Sequence, residues 1–176
     1  RQHTFRHSKT AQPLHTDGSY DAIQQEITFF LCFATAPSGG ATIFVDANTV
    51  AEVCENLNPD LFQRLCSLPL SFGKREGINR TCPVLHKEGD EWFINWNYYR
   101  VVAEDSSPEA TLREEFHHFL QEEFIANNRV FEKILQPGEA LFFHDRRVLH
   151  GRNAFSADED SERLIWKCGF NRLHSV

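Results

Sequence analysis

A mainly β protein of the sandwich or jelly-roll kind, with a few covering helices, is what this chain of 176 residues predicts. Three observations carry the expectation. Short runs rich in β-branched and aromatic residues recur along the chain, Gly- and Pro-containing turns separate them, and helical periodicity is confined to two stretches. With 41% hydrophobic and 24% charged residues, the chain has the composition of an ordinary globular domain and is long enough to bury one core.

Taken in order, residues 1–20 are polar and histidine-rich and end in a glycine turn at Gly18. Residues 27–35 (Ile-Thr-Phe-Phe-Leu-Cys-Phe-Ala-Thr) form a near-continuous apolar run, the pattern of a strand covered on both faces. Pro37-Ser38-Gly39-Gly40 then makes a turn, and residues 42–45 a short strand. Residues 48–68 are helical, with a break at Asn58-Pro59, where Asn58 can cap a second helix that has Pro59 at its first position. Short strand-like pieces and turns fill residues 70–99, including the aromatic stretch 92–99. Ser107-Pro108 opens the clearest helix, with Leu112, Phe116, Phe119, Leu120 and Phe124 at helical spacing and His117-His118 on a partly exposed face. A turn at Pro137-Gly138-Glu139, a strand over 140–143, a turn through 145–151 and a final strand over 163–170 complete the chain. Residues 1–176 are expected to form one domain. The chain begins at Arg1 and reaches its first candidate ligand by residue 15, so an N-terminal portion is expected to precede it.

Charge and composition narrow the function. A net charge of −7, with basic residues scattered, argues against nucleic acid as the main partner and against a membrane-surface patch. The longest apolar run, residues 29–34, falls well short of the ~20 residues of a membrane span, and no secretory signal is visible. The five cysteines are odd in number and contain no C-x-x-C, so a zinc knuckle or disulfide framework is not expected. They read as reduced thiols of a cytoplasmic protein.

The chemistry begins at His15-Thr16-Asp17. In an extended strand, side chains two residues apart share a face, so an imidazole and a carboxylate can converge on one ion. Two histidines and one carboxylate on one side of a metal leave the other side open, the arrangement of non-haem Fe(II) oxygenases. A second histidine, His150, follows far along the chain in Val148-Leu149-His150-Gly151-Arg152. Arg163 and Lys167 would face the same way on the final strand, and two buried cations on one face call for an anion, such as a dicarboxylate. Thr42 offers a hydroxyl on a neighbouring strand.

Together, Leu14-His15-Thr16-Asp17-Gly18-Ser19-Tyr20, Gly39-Gly40-Ala41-Thr42, Val148-Leu149-His150-Gly151-Arg152 and Arg163 resemble, in order and spacing, the taurine dioxygenase-like family. That group of Fe(II)/2-oxoglutarate-dependent oxygenases includes γ-butyrobetaine hydroxylase, clavaminate synthase and amino-acid β-hydroxylases. The resemblance implies a double-stranded β-helix, or jelly-roll, core with flanking helices. It implies His15, Asp17 and His150 as iron ligands, with Thr42 and Arg163 holding the distal carboxylate of 2-oxoglutarate, for which an arginine fork is better suited than lysine. It also implies O2 and a small molecule as substrates, and succinate and carbon dioxide as products. Where several members carry a second arginine, this chain has Lys167, a point charge suited to a substrate carboxylate, sulfonate or phosphonate. In His144-Asp145-Arg146-Arg147, Asp145 fits the family's Asp-Asn pair and Arg146 does not; His144 is a rival ligand, and His86, His117 and His118 are expected elsewhere. The carboxylate of Asp17 separates the chain from related halogenases, which have a small residue there.

Two rivals remain at this level: a zinc-type metallohydrolase using the same ligands, which leaves Arg163 without a role, and a non-catalytic jelly-roll binding module. For the substrate, a small anionic or amino-acid-like metabolite is expected, with a natural-product intermediate as the runner-up. Asn95, Asn97 and Tyr98 are candidate pocket residues beside Lys167.

Overall fold

The computed structural model describes residues 8–75, 77–156 and 163–171. Its elements follow the punctuation of the chain. Strands β1 (Gln12–His15), β2 (Ile27–Ala34), β3 (Ser38–Gly39) and β4 (Thr42–Asp46) come first, then helices α1 (Ala47–Leu57) and α2 (Pro59–Ser67). Next are β5 (Leu70–Arg75), β6 (Ile78–Cys82), β7 (Leu85–Glu88), β8 (Glu91–Ile94) and, after a 3-10 turn, β9 (Val101–Val102). Helix α3 (Pro108–Phe119) runs into a π-helical stretch, Leu120–Ala126. The chain closes with β10 (Phe131–Lys133), β11 (Ala140–His144), β12 (Val148–Arg152), β13 (Phe155–Ser156) and β14 (Leu164–Phe170).

The expected break between the first two helices is where the sequence places it. The Asn58 side chain accepts from the Leu61 N–H at 3.1 Å, and Pro59 fills the first position of α2, where its missing N–H costs nothing. Asp46 caps α1 in the same way, and Ser107 caps α3. These caps start each helix where the preceding strand or turn stops.

Two antiparallel sheets form the jelly-roll sandwich. One has the strand order β1-β12-β4-β10, the other β11-β2-β14. On the first sheet Leu14, Ile43, Val45 and Leu149 point to the helices and join the main core with Val50, Leu61, Leu65 and Phe116. The opposite face carries His15, Thr42, Phe44, His150 and Arg152 toward the second sheet. There Phe30 and Cys32 pack with Leu135, Leu141, Phe143 and Ile165 as a smaller inner cluster.

Three expectations need correction. The apolar strand β2 is covered on one face only: Thr28, Phe30 and Cys32 are buried, whereas Phe33 is 48% exposed. Its outward row instead pairs across strands with exposed aromatics, Phe29 with Phe142 and Phe33 with Trp166. The turn expected over 145–151 is shorter, because β12 already begins at Val148 and His150 lies in mid-strand. And β1 ends at His15, so Asp17 lies in a turn rather than on a strand. Among the described residues, no helix is long and apolar enough to cross a membrane, and all five cysteines are unpaired.

Candidate metal centre

Strand register brings the two histidines together. His15 and His150 are directly opposed on β1 and β12, and their ring centroids are 4.3 Å apart. Asp17 joins them by a different route from the shared strand face expected of it. Thr16 points the other way, where its hydroxyl and backbone bond the backbone of Trp96, so its neighbours His15 and Asp17 turn to the opposite side. The Asp17 oxygens lie 3.7 Å from His15 Nε2 and 3.5 Å from His150 Nε2. Each residue offers a ligand atom, and the three atoms lie within 4.8 Å of one another.

The donor set fits a divalent cation. His15 Nδ1 must donate to the Pro13 carbonyl at 2.9 Å, since a carbonyl only accepts, so its Nε2 carries the lone pair a metal needs. The Gln12 amide donates to that Nε2 at 3.0 Å, and the Lys167 ammonium contacts the Asp17 carboxylate. Both place positive charge density where a cation would draw on the same atoms. Burial and the neighbouring His15 lower His150 well below its ordinary value, and burial lowers His15, so both imidazoles are neutral at pH 7. Burial alone would raise Asp17, but His150, Lys167 and His15 outweigh it and hold the carboxyl down to about 2.

Behind the ligands lies Asp145, fully buried at the end of β11, a residue the sequence reading noted only as a motif match. It accepts the Asp17 backbone N–H at 3.0 Å, and its Oδ1 is 3.6 Å from His150 Nδ1. Burial, reinforced by the Asp17 charge, pushes it up to about 8.

The cations lie along β14, Arg163 just before its first residue and Lys167 within it. Arg163 donates from Nε to the Gly40 carbonyl at 3.2 Å and from Nη2 to the Thr42 hydroxyl at 3.5 Å, so the structure brings those two sequence candidates together. A Cβ on Gly40, whose φ is +74°, would meet the Arg163 side chain at 3.1 Å, so glycine there opens the space that the arginine crosses. Cys32, Leu135 and Ile165 are among the other residues that line that pocket. Among the described residues no carboxylate pairs with Arg163, and burial together with nearby Arg152 brings it down to about 10. Arg152 itself, on the His150 face of β12, was missed; its position two residues after His150 on a strand was the available signal. Lys167 lies further along β14, beside Asp17 and the Phe30 ring.

The remaining candidates fall elsewhere. Asn95 is 1% exposed and bonds Gln24 and the Ser19 carbonyl, Tyr98 donates to Glu114 and stacks on His117, and Asn97 precedes the 3-10 turn. The bonding capacity of Asn95 and Tyr98 is therefore taken up by packing contacts. His144 sets its ring against Phe93, His86 pairs with Glu88 and His118 with Glu122, all outside the ligand cluster.

Comparison with known proteins gives the same picture. Residues 1–168 match the model of the taurine catabolism dioxygenase TauD, TfdA family. Mitochondrial trimethyllysine dioxygenase of Gallus gallus is 28% identical over 162 residues, 85% of this chain. Gamma-butyrobetaine dioxygenase of Pseudomonas sp. (strain AK-1) is 29% identical over 153 residues, 81% of the chain. The chain spans 39% of the length of each of these relatives. Among solved structures, asparagine oxygenase in complex with Fe(II), 2S,3S-3-hydroxyasparagine and succinate shares the fold at a TM-score of 0.76 and 17% identity, over 93% of this chain and 50% of that one. A match that runs through nearly the whole sequence, on a sandwich that gathers two histidines and an aspartate between its sheets, places this chain in the TauD/TfdA dioxygenase family.

Proposed function

We propose that residues 1–176 form one jelly-roll oxygenase domain of an Fe(II)/2-oxoglutarate-dependent dioxygenase that hydroxylates an unactivated C–H bond of a small anionic or amino-acid-like metabolite. The observation that carries this reading is the trio His15, Asp17 and His150, with ligand atoms within 4.8 Å, and Arg163, which pairs with no carboxylate among the described residues, further along the same gap between the sheets. Bound iron and 2-oxoglutarate would supply the oxygen activation and C–H cleavage, with the cosubstrate ending as succinate and carbon dioxide.

The chain's own residues have physical tasks. His15, Asp17 and His150 hold the metal, and the neutral state of both imidazoles at pH 7 leaves their lone pairs ready. Phe30 and Phe143, with ring centroids 5.8 and 5.0 Å from that of His150, keep water from the ligand's flank. Arg163 and Thr42 hold the distal carboxylate of 2-oxoglutarate, and burial strengthens that ion pair. Lys167 pairs with Asp17, and with a metal held on that carboxylate its ammonium would be free to take a substrate anion. The relatives' named substrates, trimethyllysine and γ-butyrobetaine, are both small amino-acid-like carboxylates, which supports that substrate class. Five unpaired cysteines suit a reducing, cytoplasmic setting.

The deciding experiment is anaerobic Fe(II) titration followed by a screen of pooled metabolites for O2 uptake and succinate release. Stoichiometric iron and substrate-dependent succinate are expected. Tight zinc binding with hydrolysis and no O2 uptake would favour a metallohydrolase instead, and no metal binding at all would leave only a binding module.

A further inference from the structure

The side chain of Asp145 meets two of the three candidate metal ligands. Its two carboxylate oxygens accept the Asp17 backbone N–H at 3.2 and 3.0 Å, and Oδ1 lies 3.6 Å from His150 Nδ1. The carboxylate is held from behind. The Thr28 hydroxyl donates to it, and the Asp145 N–H donates to the Glu26 carbonyl at 2.8 Å. Thr28 in turn accepts from the Gln25 amide at 2.6 Å, and the same amide reaches Asp17 Oδ2 at 3.5 Å. One buried carboxylate thus touches the residues on both sides of the metal position and is itself fixed by strand β2.

His150 has a matching gap. It is 3% exposed, and its Nδ1 has no hydrogen-bond partner. A histidine that ligates a metal through Nε2 carries its proton on Nδ1, and a buried N–H needs an acceptor. Asp145 Oδ1 faces that Nδ1, just beyond hydrogen-bonding distance.

The geometry points to Asp145 as the positioning residue of this centre: it holds Asp17 by its backbone N–H and stands at 3.6 Å, ready to take the Nδ1–H of His150 when Nε2 ligates the metal. The inference rests on the metal-centre reading above and assigns Asp145 no contact with the metal or substrate. A carboxylate behind a ligating imidazole fixes its tautomer and ring orientation and raises its basicity, and removing such a partner usually costs ten- to a hundredfold in metal affinity.

Anaerobic Co(II) titration, read by visible absorption, tests this on the wild type and Asp145→Asn. The amide is isosteric and keeps an acceptor for the Asp17 N–H, so a purely structural role predicts wild-type Co(II) affinity and spectrum. The positioning role predicts a metal-free protein that still unfolds cooperatively, a dissociation constant raised about ten- to a hundredfold, and altered Co(II) ligand-field bands. Wild-type affinity with an unchanged spectrum in Asp145→Asn would overturn the inference. Failure of the wild type itself to bind Co(II) or Fe(II) would instead overturn the metal-centre reading. Should Asp145→Asn not fold, proton NMR of the Co(II)-loaded wild type decides. Two imidazole N–H signals that resist exchange in D2O are expected, one bonded to Pro13 and one to Asp145. Exchange of the second on mixing would mean it has no protein acceptor and would overturn the assignment.

Discussion

The two sheets face each other across one site and differ in what lies behind them. Behind β1-β12-β4-β10 are α1, α2 and α3, and its outward residues Leu14, Ile43, Val45 and Leu149 are all 5% exposed or less. Behind β11-β2-β14 there is no such cover among the described residues, and Phe142 and Trp166 are 61% and 65% exposed. The division of labour follows this difference. His15 and His150, which must hold a metal to within a fraction of an ångström, are on the backed sheet, whose packing leaves their rings little freedom. Arg163 and Lys167, long cations that can follow the shape of an anion, are on the open one. On the proposed function, rigid coordination and adaptable anion recognition would thus come from opposite sides of the same gap.

The sharpest test of that division is Asp17→Ala. It removes the only anionic ligand and leaves two imidazoles, so metal uptake and substrate-dependent succinate should fall by at least about a hundredfold. The fold should survive, since the side chain of Lys167, the partner left behind, is 42% exposed. Wild-type turnover in this variant would mean that another carboxylate serves the metal. On the backed sheet, Leu149→Ala opens a hole in a fully buried position and should cost about 2–5 kcal/mol in urea unfolding. A smaller loss would show that the helices can collapse onto the sheet.

On the open sheet, losing a charge-assisted hydrogen bond costs about 1.5–3 kcal/mol, or roughly ten- to a hundredfold in affinity. Arg163→Ala should therefore raise the KM for 2-oxoglutarate by that factor, and Lys167→Ala the KM for the substrate. If both changed only the cosubstrate KM, Lys167 would belong to that site and the case for an anionic substrate would fail.

The metal-free protein should also show opposing pH dependences. His15 and His150 have folded values below 6.5, so their contribution is present above pH 6.5 and is lost as pH falls. Asp145 is raised to about 8 from an unfolded 3.8, so its contribution is present at low pH and is lost as pH rises toward 8. Stability should peak at about pH 6.5, and Asp145→Asn should remove the alkaline decline. A wild-type melting temperature that is flat from pH 6.5 to 8 would contradict this. The smallest effect belongs to Trp166→Ser on the open face, expected within about 0.5 kcal/mol of wild type because little is buried there. A loss of several kcal/mol would mean that something covers this face in solution.

Much of this protein could be read from local pattern. Asn58-Pro59 placed a helix break correctly, because a cap needs only residues within one turn of itself. His15, Asp17, Thr42, His150 and Arg163 could be singled out by type and order, and of the two cations expected on the final strand Lys167 lies within β14 and Arg163 just before it. Tertiary structure decided what those residues meet. The β1–β12 register set His15 against His150, and Thr16 bonding to Trp96 turned Asp17 toward them from outside any strand. Asn95 and Tyr98 looked like pocket polar groups until packing gave them Gln24 and Glu114 as partners. Asp145 acquired its place only when the end of β11 came to rest behind both ligands. Periodicity and capping act over a few residues and are written in neighbouring letters. Register and burial join residues more than a hundred positions apart, and only the folded chain specifies them.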